Sequence, residues 1–500
     1  MPGQYGECPP GASSLAAAAG RAAADAAPGP LWHSTGSSSP RRNLTMDGLP
    51  TPRRYLAIVA VSFGTALAVL DGSIVGVALP TLARDLNVTS SSAVLIVTLY
   101  QLTLIMTLLP FSALGARIGL RHLYQYGQVL FAVATLLCFF ANSLPFLIVV
   151  RVLQALGAAA ALSVASAMIR SIYPAGQLGG GLAINNIVVS ISGALAPTLG
   201  GLILSFASWR WIFAAAFPLA ILSLFLGRKA LPEPVRRDEP YDVLGALLCA
   251  LTFGLVFAGL ESLVHGDSPV ISAAVVLAGV GVGAMFVRRE LQASEPILPV
   301  DLLARPVLAL SVAGALAAFI ASSTLALSLP FRLQQHYGFT PGEVGAVITP
   351  LPLAMMVAAP IAGYLSDRVP AGILGGIGMA ITTVAMLLLA LLPEQATAVA
   401  VGWRMALAGV GYGMFFAPNA RLIVSSTPWH RAASAGGLIS TNRLTGQTLG
   451  ATLLAALLAA NVGSGRMPAV IACGLTFIAL LCSVARLRTA PLGASAHEEA

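Results

Sequence analysis

The chain has 500 residues, 57% of them hydrophobic and 9% charged, with a formal net charge of +8 and a mean hydropathy of +0.86. A water-soluble protein is about one quarter charged, so this chain cannot cover a solvent-facing surface and must present most of its exterior to lipid. The basic balance does not call for a nucleic-acid partner, because arginines gather on the cytoplasmic loops of membrane proteins and face anionic lipid.

Residues 1–52 are rich in Ala, Gly, Ser and Pro and read as a disordered cytoplasmic N-terminal tail. From Tyr55 onward apolar runs of about 20 residues follow one another, the length a helix needs to cross the hydrocarbon. They fall near 55–80, 93–113, 123–141, 145–171, 178–206, 209–227, 242–262, 269–287, 307–330, 343–366, 372–392, 397–424, 432–460 and 467–485. The runs are continuous and do not alternate, which favours helices over a transmembrane barrel. The expected fold is an all-α membrane protein with 14 transmembrane helices, ending in a cytoplasmic C-terminal tail at 489–500.

The basic residues test this count. Starting inside and alternating, 19 of them from Arg41 to Arg488 fall in cytoplasmic segments, and four (Arg84, Arg210, Arg332, Arg466) fall outside. One missed helix would invert every later loop, so the asymmetry supports both the number of spans and an orientation with both termini cytoplasmic. Glu261, His265 and Glu343 stand at span ends and read as solvated.

A repeat appears at an offset of about 252 residues. Leu114-Gly115-Ala116-Arg117 after span 2 is matched by Leu365-Ser366-Asp367-Arg368 after span 10, and Arg151 in span 4 by Arg404 in span 12. The spacing divides the chain into a six-helix bundle (53–228), two inserted helices with linkers (229–305) and a second six-helix bundle (306–488), as parallel repeats do.

Ionisable residues inside spans are costly and mark cavities or partners. Asp71 lies nine residues before Pro80, about 13 Å from the outer end of span 1, and Arg151 lies six residues after Pro145, about 9 Å deep from the same side. Their depths allow a pair, read either as a proton or cation site or as a static link between two helices. Arg404 and Arg443 fit helix–helix hydrogen bonding, and Gln101, Asn185, Asn186, Asn419 and Asn442 are candidates to line a polar cavity. Gly193, Pro197, Gly200 and Gly201 let span 5 bend and pack closely, as a gate or as plain packing. The five cysteines form no CxxC pair, and no Walker loop, HExxH or Ser/His/Asp set occurs. No cofactor, metal site, enzymatic activity or ATP coupling is expected.

The stretch from Leu70 to Pro80 resembles the LDxTIVNVALP motif of the fourteen-helix drug:proton antiporter family of the major facilitator superfamily. Arg151-Val152-Leu153-Gln154-Ala155-Leu156-Gly157 resembles its RxxQGxG motif, and Pro197-Thr198-Leu199-Gly200-Gly201 the end of its GPxxGG motif. Trp209-Arg210-Trp211-Ile212-Phe213 and Asn442-Arg443 with Gly446 and Gly450 resemble two further signatures. The resemblance implies two bundles rocking about a central cavity, protons and small amphipathic molecules as partners, and coupling roles for Asp71 and Arg151. It also implies a cell-membrane location and, beneath an outer membrane, a periplasmic adaptor. Export of an endogenous metabolite or a non-transporting receptor or scaffold are the competing readings. Departures bear on gating: Arg117 and Gly119 keep the loop motif after span 2, but Ala116 stands where the family has Asp. Asp367, beside Arg368, is the residue expected to replace it in a charge contact between the bundles.

Overall fold

The computed structural model describes residues 48–174, 177–232, 242–266, 268–292, 298, 300–393, 395–427 and 432–489. The two expected tails fall outside these, apart from residues 48–52 and 489, of which Thr51, Pro52 and Thr489 are already helical.

The helices are α1 (Thr51–Asp85), α2 (Ser90–Ile118), α3 (Leu120–Phe139), α4 (Leu144–Ile172), α5 (Leu178–Phe206), α6 (Arg210–Ala214), α7 (Phe217–Ala230), α8 (Val243–Val264) and α9 (Pro269–Glu290). They continue with α10 (Pro306–His336), α11 (Pro341–Ile348), α12 (Pro350–Leu365), α13 (Ala371–Ala390), α14 (Ala398–Ser425), α15 (Ala432–Ala459) and α16 (Met467–Thr489). No strand occurs among the described residues. Twelve segments are long and apolar enough to cross a membrane, with α6–α7 and α11–α12 each counting as one. The two further expected spans are α3 and α15, diluted by polar residues such as Gln125, Gln128, Asn442 and Arg443 but packed within the helix array like the rest. Helix ends overrun the apolar runs by several residues, because backbone hydrogen bonding continues into the headgroup zone where the side chains turn polar. The break between α11 and α12 falls at Pro350, which has no N–H to donate and crowds the carbonyl four residues back.

Helices α1–α7 pack among themselves, α1 against α2, α4, α5 and α7, and α3 against α4 and α7. Helices α10–α16 pack likewise, with α10 against α15 and α16, and α14 against α12 and α13. The two groups meet along α1–α10, α2–α15 and α5–α11. The α8–α9 hairpin lies outside both, with α8 on the flank formed by α2 and α15. Most of α9 is exposed, including Val270, Ile271, Leu277 and Val280, as a lipid-facing helix requires.

Helix termini are tied at the end where α1 begins, hereafter the arginine-rich end. Arg53 donates to the carbonyls of Ala230 and Leu231 at the end of α7 (3.1 and 3.0 Å), and Leu49 N–H to Ile172 O at the end of α4 (2.9 Å). Gly119 joins α2 to α3 with φ +96°, a backbone region that strongly favours glycine.

Two arginines counted as loop charges belong inside the helix array. Arg486 is 3% exposed and donates to Asn419 Oδ1 (2.6 Å), Ser311 Oγ (3.0 Å) and Ala371 O (3.0 Å). Arg332 is 7% exposed and donates to Leu389 O (2.8 Å). Each sits within a turn or so of a helix end, where a long side chain reaches polar atoms of the neighbouring helices, and for Arg332 the acceptor is one of the carbonyls left free at the C-terminal end of α13. Glu261 is likewise not solvated. It is 8% exposed and accepts a 2.8 Å hydrogen bond from Thr452 of α15, because α8 buries this end of the hairpin against the second group.

The hairpin is clamped at the arginine-rich end by Asp242, which caps α8 through Gly245 N–H (2.9 Å) and accepts from Arg289 of α9 (2.8 Å). The Arg289 hydrogen bond holds the Asp242 carboxyl below the usual carboxylate range. Its contribution is therefore present above the unfolded pKa of about 3.9 and lost as pH falls through the lower folded value. Asp242→Ala removes an N-cap worth about 1 kcal/mol, so hydrogen exchange in the first turn of α8 is expected to speed up about fivefold at neutral pH. The wild type is expected to approach the variant only under strongly acid conditions.

Candidate functional site

Asp71 of α1 and Arg151 of α4 are brought together as a buried ion pair, 1% and 0% exposed, with Arg151 Nη1 2.5 Å from Asp71 Oδ2. α1 packs directly on α4, so the two side chains meet inside the first group and not in the seam between groups. Gln154, one helical turn beyond Arg151, closes the arrangement. Its Oε1 accepts from Arg151 Nη1 (2.7 Å), and its Nε2 donates to Asp71 Oδ1 (3.1 Å) and to Thr135 Oγ1 (2.8 Å). Each Asp71 oxygen thus accepts one donor, and the Gln154 amide has only one orientation that serves all three partners.

The guanidinium lies over the ring of Tyr100, 4.1 Å from its centroid, with Phe213 at 5.5 Å. Stacking of this kind supports a cation out of water. In the plane of the guanidinium, Arg151 Nε and Nη2 have no hydrogen-bond partner among the described residues. Gly72 packs beside the same ring, and a Cβ there would make an ordinary 3.6 Å contact with Tyr100 Cε1. Asp71 is buried, but Gly72 is half-buried and Ser73 exposed, so the pair stands within two residues of accessible space.

Arg151 depends on Asp71 for its counter-charge in a dry environment, where loss of one partner of a buried pair costs about 3–5 kcal/mol. Gln154→Leu is expected to leave Asp71 Oδ1 without a donor and lower stability by about 1–3 kcal/mol, read as a fall in melting temperature of purified protein. Thr135→Val, which removes only the outer hydrogen bond of the chain, is expected to do less.

The seam between groups is closed at the end opposite the arginine-rich one. Gly201 of α5 crosses Gly345 of α11 so tightly that a Cβ on Gly201 would lie 2.6 Å from Pro341 O and 3.0 Å from Gly345 Cα. A Cβ on Gly345 would lie 2.5 Å from Pro197 O. Thr198 and Thr349 are hydrogen-bonded across the same crossing. Gly200 fits against Ile74 of α1, and Gly76 faces Leu327 of α10. Of the gating candidates, Pro197 and Gly201 therefore lie in one close contact between the two groups, and Gly200 packs beside it within the first group.

Toward the arginine-rich end the same faces open. The α5 stripe through Gly201 and Pro197 continues to Ser190 and Ile187, both exposed. On α15 the stripe runs from Leu454, 0% exposed, through half-buried Arg443 and Ser440 to exposed Gly436.

The remaining candidates separate. Asn185 accepts from Thr65 (2.8 Å), and Asn186 is exposed. Gln101 is half-buried, with Oε1 unpartnered among the described residues. Asn419 and Asn442 donate to Ser311 O and Val312 O at the start of α10 (3.1 Å each). Arg404 donates to Ala400 O of its own helix and stacks on Trp403, so it does not reproduce the Arg151 network. Arg117 is exposed, and Arg368 donates to Tyr364 Oη (3.1 Å). Asp367 pairs with Arg421 of α14, inside the second group. Among the described residues it forms no ion pair across the two groups, because Arg421 of α14 meets its carboxylate within the second group.

Comparison with known proteins places this geometry. The profile described as Major Facilitator Superfamily matches residues 61–451 and 310–500. The chain belongs to the Major Facilitator Superfamily. Its relatives include the "Uncharacterized transporter YebQ" of Escherichia coli K12, 43% identical over 414 residues, covering 82% of this chain and 91% of that protein. The "Multidrug resistance protein Stp" of Mycobacterium tuberculosis is 30% identical over 412 residues, covering 81% and 76%. A solved inward-facing, unoccupied bacterial homolog of the lysosomal transporter Spinster shares the fold, with a TM-score of 0.64 at 16% identity over 88% of this chain and 98% of that one. Superfamily members are multi-pass membrane transporters and not enzymes, and this chain is one of them.

Sequence reasoning passed over Tyr100 and Thr135, which carry no charge and announce nothing in an apolar run, and read Phe213 only as part of the Trp209–Phe213 signature. Gln154 had a signal, since a polar residue three positions from Arg151 shares its helix face.

Proposed function

We propose that the protein exports small amphipathic compounds across the cytoplasmic membrane by alternating access, driven by protons entering through the Asp71–Arg151 pair. The reading rests on the buried Asp71–Arg151–Gln154 network, an isolated carboxylate whose protonation removes the counter-charge of an arginine held by aromatic rings. Kinship with a protein named for multidrug resistance supports the direction of transport. The excess of basic residues at the arginine-rich end supports placing that end, and both termini, in the cytoplasm. The open seam then faces the cytoplasm and loads substrate, while the α5–α11 crossing seals the outside.

The test uses everted membrane vesicles energised to an acid interior. Adding an exported compound is expected to dissipate the pH gradient only when the protein is present. A gradient untouched by every compound that the vesicles accumulate would remove proton coupling.

A further inference from the structure

The charges of the two helix groups do not match. In the first group the buried Arg151 is neutralised by Asp71. In the second group the helices carry Arg332, Arg404, Arg443 and Arg486, while the acidic side chains among the described residues are Glu343, engaged in the capping box of α11, and Asp367, paired with Arg421. Arg332, Arg404 and Arg486 donate to carbonyls or side chains of neighbouring residues. Arg443 donates no hydrogen bond to any described residue, and it lies in the middle of the span, 11 residues or about 17 Å into α15.

The direction of Arg443 follows from the contacts of its helix. Gly446 and Gly450 press on α10 at Phe319 and Ser323, Gly437 faces Leu109 of α2, and Thr452 reaches Glu261 of α8. At 100° per residue, Arg443 and Gln447 fall on the remaining arc, between the α10 and α2 faces and away from α8. Leu454 occupies that arc further along and packs in one buried cluster with Ile74 of α1 and Leu327 of α10. Arg443 and Gln447 therefore stand one turn apart on the wall that faces the seam, below its closed end.

An arginine stays protonated in any protein, and an unpaired one inside the bilayer costs about 2.5–3.5 kcal/mol. A guanidinium with its fork unoccupied matches a planar carboxylate or a phosphate, with the Gln447 amide as a further donor. We propose that Arg443 and Gln447 hold the anionic group of the transported compound, which makes the substrate an amphipathic anion and not a lipophilic cation. This deepens the export reading of the same seam and rests on it. The shared chemistry, an oxyanion on an apolar body, also describes an anionic lipid headgroup.

The experiment measures binding to purified protein in phosphatidylcholine nanodiscs by fluorescence polarisation, without a pH gradient. Fluorescein serves as the anionic probe and rhodamine 6G as its cationic counterpart. Wild type is expected to prefer fluorescein. Arg443→Gln is expected to weaken fluorescein binding about tenfold to a hundredfold, the loss of a charged hydrogen bond, and to leave rhodamine 6G unchanged or tighter. Arg443→Lys, which keeps the charge but not the fork, is expected to fall between. Equal fluorescein affinity in wild type and Arg443→Gln, or a wild type that binds only the cation, would overturn the proposal. Displacement of fluorescein by phosphatidylglycerol mixed into the nanodiscs would assign the site to a lipid headgroup and overturn the substrate assignment. Because no gradient is present, loss of proton coupling in vesicles with fluorescein binding intact would sink the coupling reading and leave this one standing.

Discussion

Asp71→Asn is expected to abolish gradient-driven export while the protein still inserts and binds its substrate. The substitution keeps the side chain's shape but removes the charge that Arg151 faces at 2.5 Å. A buried arginine left without its partner destabilises by about 3–5 kcal/mol, so the melting temperature falls as well. Stability loss alone would also reduce transport, and a second variant separates the two effects. Asp71→Asn combined with Arg151→Gln restores electrical neutrality, because neither group is then charged. The double variant is expected to recover much of the lost stability, a coupling expected of residues in one network, while export remains absent. Export driven by a pH gradient in either variant, assayed in everted vesicles, would end the assignment of Asp71 as the proton site. Recovery of export together with stability would reduce the pair to a structural link between α1 and α4.

Gly201→Val is the second change expected to have a large effect, through the opposite end of the molecule. Its Cβ would meet Pro341 O at 2.6 Å and Gly345 Cα at 3.0 Å, both backbone atoms of α11. No rotamer change relieves such a contact, so α5 and α11 must part. Overpacking of this kind costs about 1–3 kcal/mol. Placed on a seam that exists only when that end is closed, the cost shifts the balance of conformations about 5- to 150-fold toward the state open there. Distances between spin labels on Ser205 and Gly338 are expected to lengthen, and turnover to fall by a similar factor. An unchanged distance distribution would show that the α5–α11 crossing does not control the opening. Gly193→Val, on the same helix with Val69 Cγ1 3.7 Å from its would-be Cβ, is the control expected to be tolerated.

Much of the architecture was legible because lipid imposes a one-dimensional rule. Backbone groups in hydrocarbon must bond within a helix, so a continuous apolar run of about 20 residues has essentially one fate. That rule reached its limit at α3 and α15, where polar residues lower the hydropathy but pack inside the array. It failed in a different way for Arg332, Arg486 and Glu261. A charge near a span end reads as a loop residue, and only the neighbouring helices decide whether it meets water or a carbonyl.

The candidate site shows the same division. Asp71 and Arg151 stood out because charge is rare within spans, and their depth along two helices follows from the rise per residue. That they touch was not in the sequence, since depth says nothing about which helices are neighbours. That the Tyr100 and Phe213 rings surround the guanidinium was hidden for the same reason. Asp367 illustrates the converse, a charge whose partner was expected across the seam and is supplied instead by Arg421 of its own group.

By itself the sequence determined that this chain crosses the membrane repeatedly as helices, and which few charges stand in the middle of a span, because both depend on transfer energies that add residue by residue. The tertiary structure alone decided which of those charges are satisfied. Arg151 meets a carboxylate, Arg404 a carbonyl of its own helix, and Arg443 no described residue, because pairing depends on helix adjacency and rotation, which hydropathy along the chain does not encode.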